Sequence, residues 1–247
     1  MLLEGKTAVV TGCNRGIGKA ILENFAKNGA DVFAVVRKET DEFLKDVERI
    51  REENNVNIYP IYADFSSDDE VKKAGKEIIS KKIPIDILVN NIGLGLPVRM
   101  STMTPMDSMR DIFQINFFSS FLFTQIISRY MIRKKSGSIV FISSTAIDDA
   151  WSNVEYVASK SAIIGEMKRL ALELGPMGIR VNAVAPGLTD TGLADTMTED
   201  DEKLVMDRCI MKRKAKPEEV ANTVTFLASE MSSFITSQII RVDGGLI

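Results

Sequence analysis

The chain has 247 residues, 45% of them apolar and 26% charged, a balance typical of one large globular domain. Its net charge of −3 argues against a nucleic-acid-binding protein. We also expect neither a membrane span nor a secretory signal, because there is no apolar run of about eighteen residues and no basic leader before a long apolar stretch. Histidine is absent and the only cysteines, Cys13 and Cys209, lie far apart, so we expect no metal site and a reducing, cytoplasmic location.

Short runs rich in β-branched residues predict seven strands. In chain order they cover residues 7–11, 31–36, 57–63, 86–90, 138–143, 180–186 and 238–242. Most of these runs are apolar at successive positions, not only at alternate ones, which is typical of strands buried on both faces of a parallel sheet.

Longer stretches with a helical period alternate with these strands. They cover residues 16–28, 41–54, 67–81, 106–135, 154–174 and 217–229. The alternation predicts one doubly wound α/β domain over residues 1–247, with a seven-stranded, mostly parallel sheet and helices on both faces. The irregular stretch 187–216 follows the sixth strand, and we expect it to form a substrate lid at the carboxyl edge of the sheet.

The first strand runs directly into TGCNRGIGKA, residues 11–20, in which Gly12, Gly16 and Gly18 are spaced GxxxGxG. Glycines at a strand-to-helix turn let the backbone approach a pyrophosphate, whose charge then meets the free N–H groups of the helix. Glycine also serves ordinary turns, so the alternative is a plain turn. The position between a buried strand and a helix favours a dinucleotide site.

The second strand ends in VVRK, residues 35–38, which bears on the choice of dinucleotide. An NAD site places an acidic residue near this point for the ribose hydroxyls, but Val36 occupies that position and Arg37 and Lys38 follow. Arg15 lies in the glycine loop, and two guanidinium groups near one ribose suit a 2′-phosphate. The alternative is that both arginines are solvated surface charges. The pattern favours NADP(H).

The stretch YVASK places Tyr156 and Lys160 four residues apart, and hence on one face of the predicted helix 154–174. A nearby ammonium group lowers the pKa of a phenol, which would make Tyr156 a general acid or base in a chain without histidine. The alternative is two ordinary helix residues. Upstream, FISSTA ends a buried strand, and a serine there would either donate to a substrate oxygen or simply cap a turn.

Together these motifs resemble the short-chain dehydrogenase/reductase family over essentially the whole chain, in the family's order. TGCNRGIG is similar to its glycine loop, NNIG (90–93) to its NNAG motif, and YVASK to its YxxxK group. The resemblance implies a Rossmann fold and hydride transfer between a nicotinamide and a carbonyl or secondary alcohol. Isoleucine stands at position 92, where the family usually has alanine.

The resemblance also implies the roles of individual residues. Tyr156 is the catalytic acid/base, Lys160 holds the ribose and lowers the tyrosine pKa, and Ser144 polarises the substrate carbonyl. Ser143 would restore the more common spacing to the tyrosine, so it stays an alternative to Ser144. Asn116 anchors a water for proton relay. The cofactor-binding residues implied are Gly12, Asn14, Arg15, Gly16, Ile17, Gly18, Arg37, Asp64, Phe65, Asn91, Gly93, Tyr156, Lys160, Pro186, Gly187, Thr189 and Thr191.

Within the family the chain resembles the 3-oxoacyl-thioester reductases, which implies a small carbonyl or alcohol substrate, with an acyl thioester as one candidate. Recognition of an acidic carrier protein would use the basic clusters 133–135 and 212–216, but Met177 and the stretch 94–106 depart from that branch. Alternatives are a dehydrogenase of a steroid, polyol or sugar, and a non-catalytic NADP-binding sensor. An enoyl reductase is disfavoured, because that branch spaces its tyrosine and lysine more widely.

Two further expectations concern the lid and the assembly. Leu188, Leu193, Met197 and Met206 in the lid, with Leu94, Leu96 and Met100, suit an apolar substrate or are ordinary packing. By resemblance, helices 106–135 and 154–174 pair across subunits, which implies a homotetramer or a homodimer.

Overall fold

Seven strands form one sheet in the order β3-β2-β1-β4-β5-β6-β7, and every pairing in it is parallel. The computed structural model describes residues 1–95, 99–150, 152–191 and 198–246. The strands are β1 Thr7–Thr11, β2 Asp31–Val36, β3 Ile58–Tyr62, β4 Ile87–Asn90, β5 Gly137–Ile142, β6 Ile179–Pro186 and β7 Ile239–Val242. The prediction of a doubly wound parallel sheet is confirmed.

The helices are α1 Gly16–Lys27, α2 Asp41–Asn54, α3 Asp68–Ser80, α4 Met106–Phe113, α5 Ser119–Lys134, α6 Ala146–Asp149, α7 Val154–Leu174, α8 Glu199–Arg208 and α9 Pro217–Ala228. Several begin at side-chain caps: Thr40 accepts from the N–H of Phe43, and Ser67 accepts from that of Glu70. Such a cap satisfies one of the backbone donors that a helix start leaves unpaired.

The two faces of the sheet are covered by different helices. Apolar side chains of α1, α2 and α9 pack on one face, together with Val10 of β1. Those of α3, α5 and α7 pack on the other, together with Val9 of the same strand. Successive residues of β1 therefore enter opposite cores, which is why the strand is apolar at every position. Each fully buried Val, Leu or Phe side chain contributes about 1.5–3 kcal/mol to stability.

Residues 106–135, predicted as one helix, form two helices joined by a π-helical turn. The turn, Gln114–Phe118, lies between α4 and α5 and holds Asn116 at its centre. A π turn contains one residue more than an α turn and commonly marks a functional position. The prediction of a single regular helix is therefore wrong at this point, because hydrophobic periodicity does not register one inserted residue.

The predicted lid is only partly described. Within 187–216 the structure shows α8 and an isolated bridge between Thr189 and Ala215, whereas Leu193 and Met197 lie outside the described residues, as does Leu96. No helix in the described ranges is both long and apolar enough to cross a bilayer. Cys13 and Cys209 are free and buried. The cytoplasmic location and the boundaries of the domain and lid stay predictions.

Candidate active site

The predicted site residues gather at the carboxyl edge of the sheet. The glycine loop follows β1, NNIG closes β4, the two serines follow β5, and Gly187 follows β6. Strand order runs from β1 outwards to β3 on one side and from β4 outwards to β7 on the other. The crevice therefore lies at the switch point of the sheet, where ligands bind in doubly wound folds.

The glycine loop has a shape that side chains would fill. Gly12 and Gly16 have φ values of +70° and +55°, in the left-handed region. A Cβ on Gly18 would lie 2.0 Å from the carbonyl oxygen of Gly12, so α1 packs directly on the loop backbone. Helix α1 starts at Gly16 with no side-chain cap and no acidic residue in its first turn. Its free N–H groups and positive end fit a pyrophosphate.

Asn91 braces this loop from the neighbouring strand. Its Nδ2 donates to the carbonyl oxygens of Thr11 (2.9 Å) and Gly12 (3.1 Å), and its backbone N–H donates to Thr11 Oγ1 (2.9 Å). The N–H of Ile92 reaches the same hydroxyl at 3.2 Å, and its side chain packs partly against the core. Asn91 therefore shapes the cofactor loop, and Thr11, which the sequence did not single out, is its anchor.

Arg37 and Asp64 form an ion pair at the edge of the crevice. Arg37 Nε donates to Asp64 Oδ2 at 2.8 Å, and the arginine side chain is 77% exposed. The backbone N–H of Ser66 and the guanidinium of Arg37 lower the pKa of Asp64, so this carboxylate is charged. Asn14 and Arg15 are exposed near the start of α1.

Phe65 follows Asp64, but its side chain is turned away from the crevice. It is buried in the core, 5.6 Å from the ring of Phe123, and the carbonyl oxygen of Phe65 accepts from Ser119 Oγ at 2.6 Å. Cofactor binding at this position would therefore involve the backbone, and it stays a prediction.

The residues after β6 connect the sheet to the glycine loop. The N–H of Thr145 donates to the carbonyl oxygen of Pro186 (3.0 Å), and that of Gly187 donates to Val242 (3.0 Å). Thr189 is buried and its hydroxyl donates to the carbonyl oxygen of Gly187 at 3.1 Å. Thr191 reaches across the crevice: a Cβ on Gly16 would lie 3.2 Å from its methyl carbon.

Ser144, not Ser143, faces Tyr156. The Ser144 side chain lies close enough to the Tyr156 phenol for hydrogen bonding from the serine to lower the pKa of the tyrosine. Ser143 is buried and its hydroxyl donates to the backbone carbonyl oxygen of Lys160 at 3.3 Å, so it ties β5 to α7. The tyrosine itself is held by the first turn of α7, where the Asn153 side chain caps its N–H at 2.9 Å. The hydroxyl and the phenol are thus arranged to meet one substrate oxygen.

Lys160 is buried behind the tyrosine. Its Nζ donates to the carbonyl oxygen of Ile142 at 2.8 Å and lies 5.8 Å from the centre of the Tyr156 ring. A Cβ on Gly93 would lie 2.9 Å from the same nitrogen, so any side chain there would displace the end of the lysine. Burial lowers the pKa of Lys160 to about 8. The amine therefore changes charge close to neutral pH.

The tyrosine pKa moves in the opposite direction to the one expected. Burial raises the pKa of Tyr156, and the hydrogen bond from Ser144 lowers it by less. The Lys160 amine donates to the Ile142 carbonyl oxygen, and burial disfavours its own charged form. The phenol is therefore held in its protonated form, which suits proton donation.

Asn116 is fully buried in the π turn and pairs with the backbone of the loop after β4. Its Oδ1 accepts from the N–H of Leu94 at 2.7 Å, and its Nδ2 donates to the carbonyl oxygen of Leu94 at 3.0 Å. The same Nδ2 donates to Ser159 Oγ at 3.0 Å, and that hydroxyl donates to the carbonyl oxygen of Tyr156 at 2.9 Å. Ser159, missed in the sequence, thus links Asn116 to the tyrosine turn.

Comparison with known proteins defines the class. A family model described as enoyl-(acyl carrier protein) reductase matches residues 12–247. The chain belongs to the short-chain dehydrogenase/reductase family, and it is an oxidoreductase acting on a CH–OH group or its carbonyl with a nicotinamide cofactor. Among the described residues, no cluster of three or more His, Cys, Asp or Glu side chains is placed to hold a metal ion.

Individual relatives cover the whole chain. A 3-oxoacyl-(acyl-carrier-protein) reductase of Thermotoga maritima is 36% identical over 253 residues, which is 100% of each protein. A 7α-hydroxysteroid dehydrogenase solved with NADH and 7-oxo glycochenodeoxycholic acid has a TM-score of 0.90 at 33% identity, over 99% of this chain and 95% of the other. A 3-oxoacyl-(acyl-carrier protein) reductase of Brucella melitensis with bound NAD has a TM-score of 0.86 at 32% identity, over 99% and 92%.

Proposed function

We propose that this protein is an NADP(H)-dependent ketoreductase of the 3-oxoacyl-thioester type. The observation that carries the proposal is the meeting of three groups: the Ser144 side chain close to the Tyr156 phenol, and the buried Lys160 Nζ 5.8 Å from the centre of the tyrosine ring. Two donors there can meet one carbonyl oxygen, which is the arrangement that carbonyl reduction requires. The full-length relative from Thermotoga maritima is a 3-oxoacyl-(acyl-carrier-protein) reductase, which supports the substrate class.

The reaction assigns one task to each side chain. When bound, the nicotinamide supplies the hydride that forms the new C–H bond at the carbonyl carbon. Ser144 Oγ donates a hydrogen bond to the carbonyl oxygen and stabilises the charge that develops there. Tyr156 Oη transfers its proton to that oxygen as the π bond breaks, and the product is a secondary alcohol. The raised pKa of Tyr156 keeps that proton in place until it is needed.

Lys160 and Asn116 then help to restore the proton that Tyr156 has given to the substrate. The amine of Lys160, whose pKa burial lowers to about 8, exchanges protons readily near neutral pH. Asn116 fixes the loop at Leu94 and, through Ser159, the first turn of α7, so the lysine and tyrosine keep their spacing. Substrate oxidation would use the same groups in reverse.

The preference for NADP(H) is proposed from this chain's own residues, because the two structural relatives were solved with NADH and NAD. Among the described residues, the hydrogen bond of Arg37 is made by Nε, which orients the guanidinium and leaves its terminal nitrogens for a phosphate. Val36, at the position where an acid would exclude a 2′-phosphate, is buried. Arg15 and Lys38 are exposed nearby and add positive charge.

A steroid or polyol dehydrogenase is the second candidate, supported by the structural similarity to the 7α-hydroxysteroid dehydrogenase. Carrier-protein recognition is less supported, because several residues of the two basic clusters have acidic partners within the chain. Lys134 pairs with Asp86, Arg213 with Glu219, and Lys214 with Glu202. The spacing of Tyr156 and Lys160 favours a ketoreductase over the enoyl reductase that the family model's description names.

Assembly into a homodimer or homotetramer is part of the proposal. Three large apolar side chains are exposed here: Phe118 at the end of the π turn (51%), Phe121 on α5 (39%) and Leu172 on α7 (70%). Apolar side chains of this size on two neighbouring helices favour an interface. Sedimentation velocity on the purified protein would measure the subunit number.

The test is a substrate panel combined with one variant. Acetoacetyl-coenzyme A, 7-oxo glycochenodeoxycholic acid and a keto sugar acid are offered with NADPH, whose oxidation is followed at 340 nm, with reduction of the thioester expected to be fastest. Tyr156→Phe should lower kcat by about 10²–10⁴ while the Kd for NADPH is unchanged, because only the proton donor is lost. Turnover by the phenylalanine variant at the wild-type rate would overturn the mechanism.

A further inference from the structure

A buried polar cluster that no step of the mechanism uses lies beside the catalytic tyrosine. Glu155 immediately precedes Tyr156 in the first turn of α7, and its side chain is fully buried. Its Oε1 accepts from Arg99 Nη2 at 3.2 Å and from Ser108 Oγ at 3.3 Å, and Arg99 Nη2 also donates to Ser108 Oγ at 3.0 Å. We name Arg99, Ser108 and Glu155 the Arg99 cluster.

The Arg99 cluster joins the loop after β4 to the catalytic helix. Arg99 lies 56 residues before Glu155 and is followed by the short 3₁₀ helix Ser101–Met103, and Ser108 lies in the first turn of α4. A second point of the same loop, Leu94, is bound by Asn116 through both its N–H and its carbonyl oxygen. The loop is thus fixed at both ends, once beside Asn116 and once beside Tyr156.

The electrostatics make the arginine essential to this arrangement. Glu155 Oε2 has no hydrogen-bond partner among the described residues, so the carboxylate depends on what reaches its other oxygen. Glu155 Oε1 accepts from the Arg99 guanidinium and from the Ser108 hydroxyl, and both of these residues lie outside α7. A fully buried carboxylate without its cation is strongly unfavourable. The loop therefore stays against α7 as long as Arg99 is present.

From this geometry we infer that Arg99 is a positioning residue that sets the substrate cleft. Its ion pair with Glu155 holds the described part of the loop that begins at Arg99 at a fixed distance from Tyr156, because Glu155 and Tyr156 are adjacent in one helical turn. The inference rests on the proposed function, since it concerns the ketone that Tyr156 protonates. Arg99 acts through the position of the loop and does not touch the reacting atoms.

The cluster also bears on the class of substrate. The charge of Arg99 is matched by Glu155, so the ion pair presents no net charge to the cleft. On the same loop the side chain of Leu94 is 39% exposed. These two features fit an uncharged, apolar portion of the substrate next to the carbonyl, such as an acyl chain, better than they fit a carboxylate or phosphate.

The experiment compares Arg99→Met with the double variant Arg99→Met/Glu155→Met. The first leaves Glu155 buried and unpaired, whereas the second replaces the ion pair by apolar side chains, a change that commonly preserves stability. Both variants should raise the KM for the best ketone of the panel about tenfold, while kcat changes less than about threefold and the Kd for NADPH less than about twofold. The double variant should have the wild-type Tm.

Two further variants define the effect. Arg99→Lys retains a cation for Glu155 and should keep KM within about threefold of wild type. Arg110→Met removes an exposed ion pair with Asp107 in the neighbouring α4 and should change nothing. Hydrogen exchange measured by mass spectrometry on the enzyme alone should show residues 99–104 exchanging at least about tenfold faster in both methionine variants.

A double variant that regains both Tm and KM would overturn the inference, because the cluster would then contribute only stability. Unchanged KM and unchanged exchange in Arg99→Met would overturn it as well. Failure of the proposed function is distinguishable: wild-type protein that reduces no ketone of the panel refutes that function, whereas the exchange experiment still decides whether Arg99 holds the loop.

Discussion

The cofactor half and the catalytic half of the crevice use opposite physical means. The cofactor half, formed by the glycine loop, Asn91 and the Arg37–Asp64 pair, relies on backbone shape and exposed charge. The catalytic half, formed by Ser144, Tyr156, Lys160 and Asn116, relies on side chains that are mostly buried, and burial shifts the pKa of the tyrosine and of the lysine. Binding a phosphate needs fixed donors, whereas moving a proton needs groups whose charge can change.

Two carboxyl groups show the contrast directly. Asp64 is hydrogen-bonded by a backbone N–H and a guanidinium, and these partners lower its pKa. Glu166, on the catalytic helix α7, is buried with no hydrogen-bond partner for either oxygen among the described residues, and burial raises its pKa to about 8. The same chemical group is therefore charged at neutral pH in Asp64 and largely protonated in Glu166.

The largest effect is expected at Glu166, through pH. The pKa of Glu166 in the folded protein, about 8, lies above the ordinary 4.5, so the folded state binds this proton more tightly than the unfolded state does. The contribution of Glu166 to the free energy of unfolding is therefore fully present below pH 4.5 and is lost as pH rises through 8. From pH 5 to pH 8 this loss reaches about 4 kcal/mol as an upper bound. Glu166→Gln, which does not titrate, should therefore show a much smaller fall in Tm over that range, measured by calorimetry.

A carboxyl on the exposed face of the same helix is the control for this titration. Glu173 pairs with Arg169 and its side chain is 45% exposed. Glu173→Gln should keep the pH dependence of the wild type. Equal slopes for wild type and Glu166→Gln would mean that Glu166 is ionised in the folded protein.

In the cofactor half, we expect a substitution at Gly18 to weaken cofactor binding most directly. A Cβ at this position would meet the carbonyl oxygen of Gly12 at 2.0 Å, so Gly18→Ala must displace either α1 or the loop. Overpacking of this kind costs about 1–3 kcal/mol, and we expect NADPH binding to weaken about a hundredfold, measured by the fluorescence of the bound cofactor. The matched control is Gly165→Ala on α7, where a Cβ would meet nothing within 4 Å.

The smallest effect of the three is a change of cofactor preference. Arg37→Asp replaces the guanidinium by a carboxylate that repels a 2′-phosphate and accepts from ribose hydroxyls. The ratio of kcat/KM for NADPH to that for NADH should fall about tenfold to a hundredfold. Arg51→Asp, which alters an exposed ion pair on α2, should leave the ratio unchanged. An equal loss with both cofactors would show that Arg37 does not contact the phosphate.

Much of the fold follows from local patterns in the sequence. Apolar residues at successive positions of Thr7–Thr11 and Gly137–Ile142 predicted strands buried on both faces, and both strands lie inside the parallel sheet. The glycine loop was equally predictable, since Gly12, Gly16 and Gly18 have spacing and context in the sequence. These features depend on neighbours within a few residues, which is why a single sequence reveals them.

The features that the sequence did not reveal depend on contacts between distant segments. The choice between Ser143 and Ser144 required the direction in which β5 presents its last side chains. The rise in the pKa of Tyr156 required knowledge of burial, whose effect outweighs that of hydrogen bonding from Ser144. The pairing of Arg99 with Glu155 spans 56 residues and leaves no periodic signal.

The π turn at Gln114–Phe118 has a consequence for how this chain can change over time. It places Asn116 opposite the backbone of Leu94 by means of one additional residue between α4 and α5. Deleting one residue nearby would restore a regular and intrinsically favourable α-helix, but it would rotate every preceding residue by about 100° relative to α5. We therefore expect a single-residue deletion in this segment to break the contact between Asn116 and Leu94, whereas substitutions that keep the length would leave the turn in place.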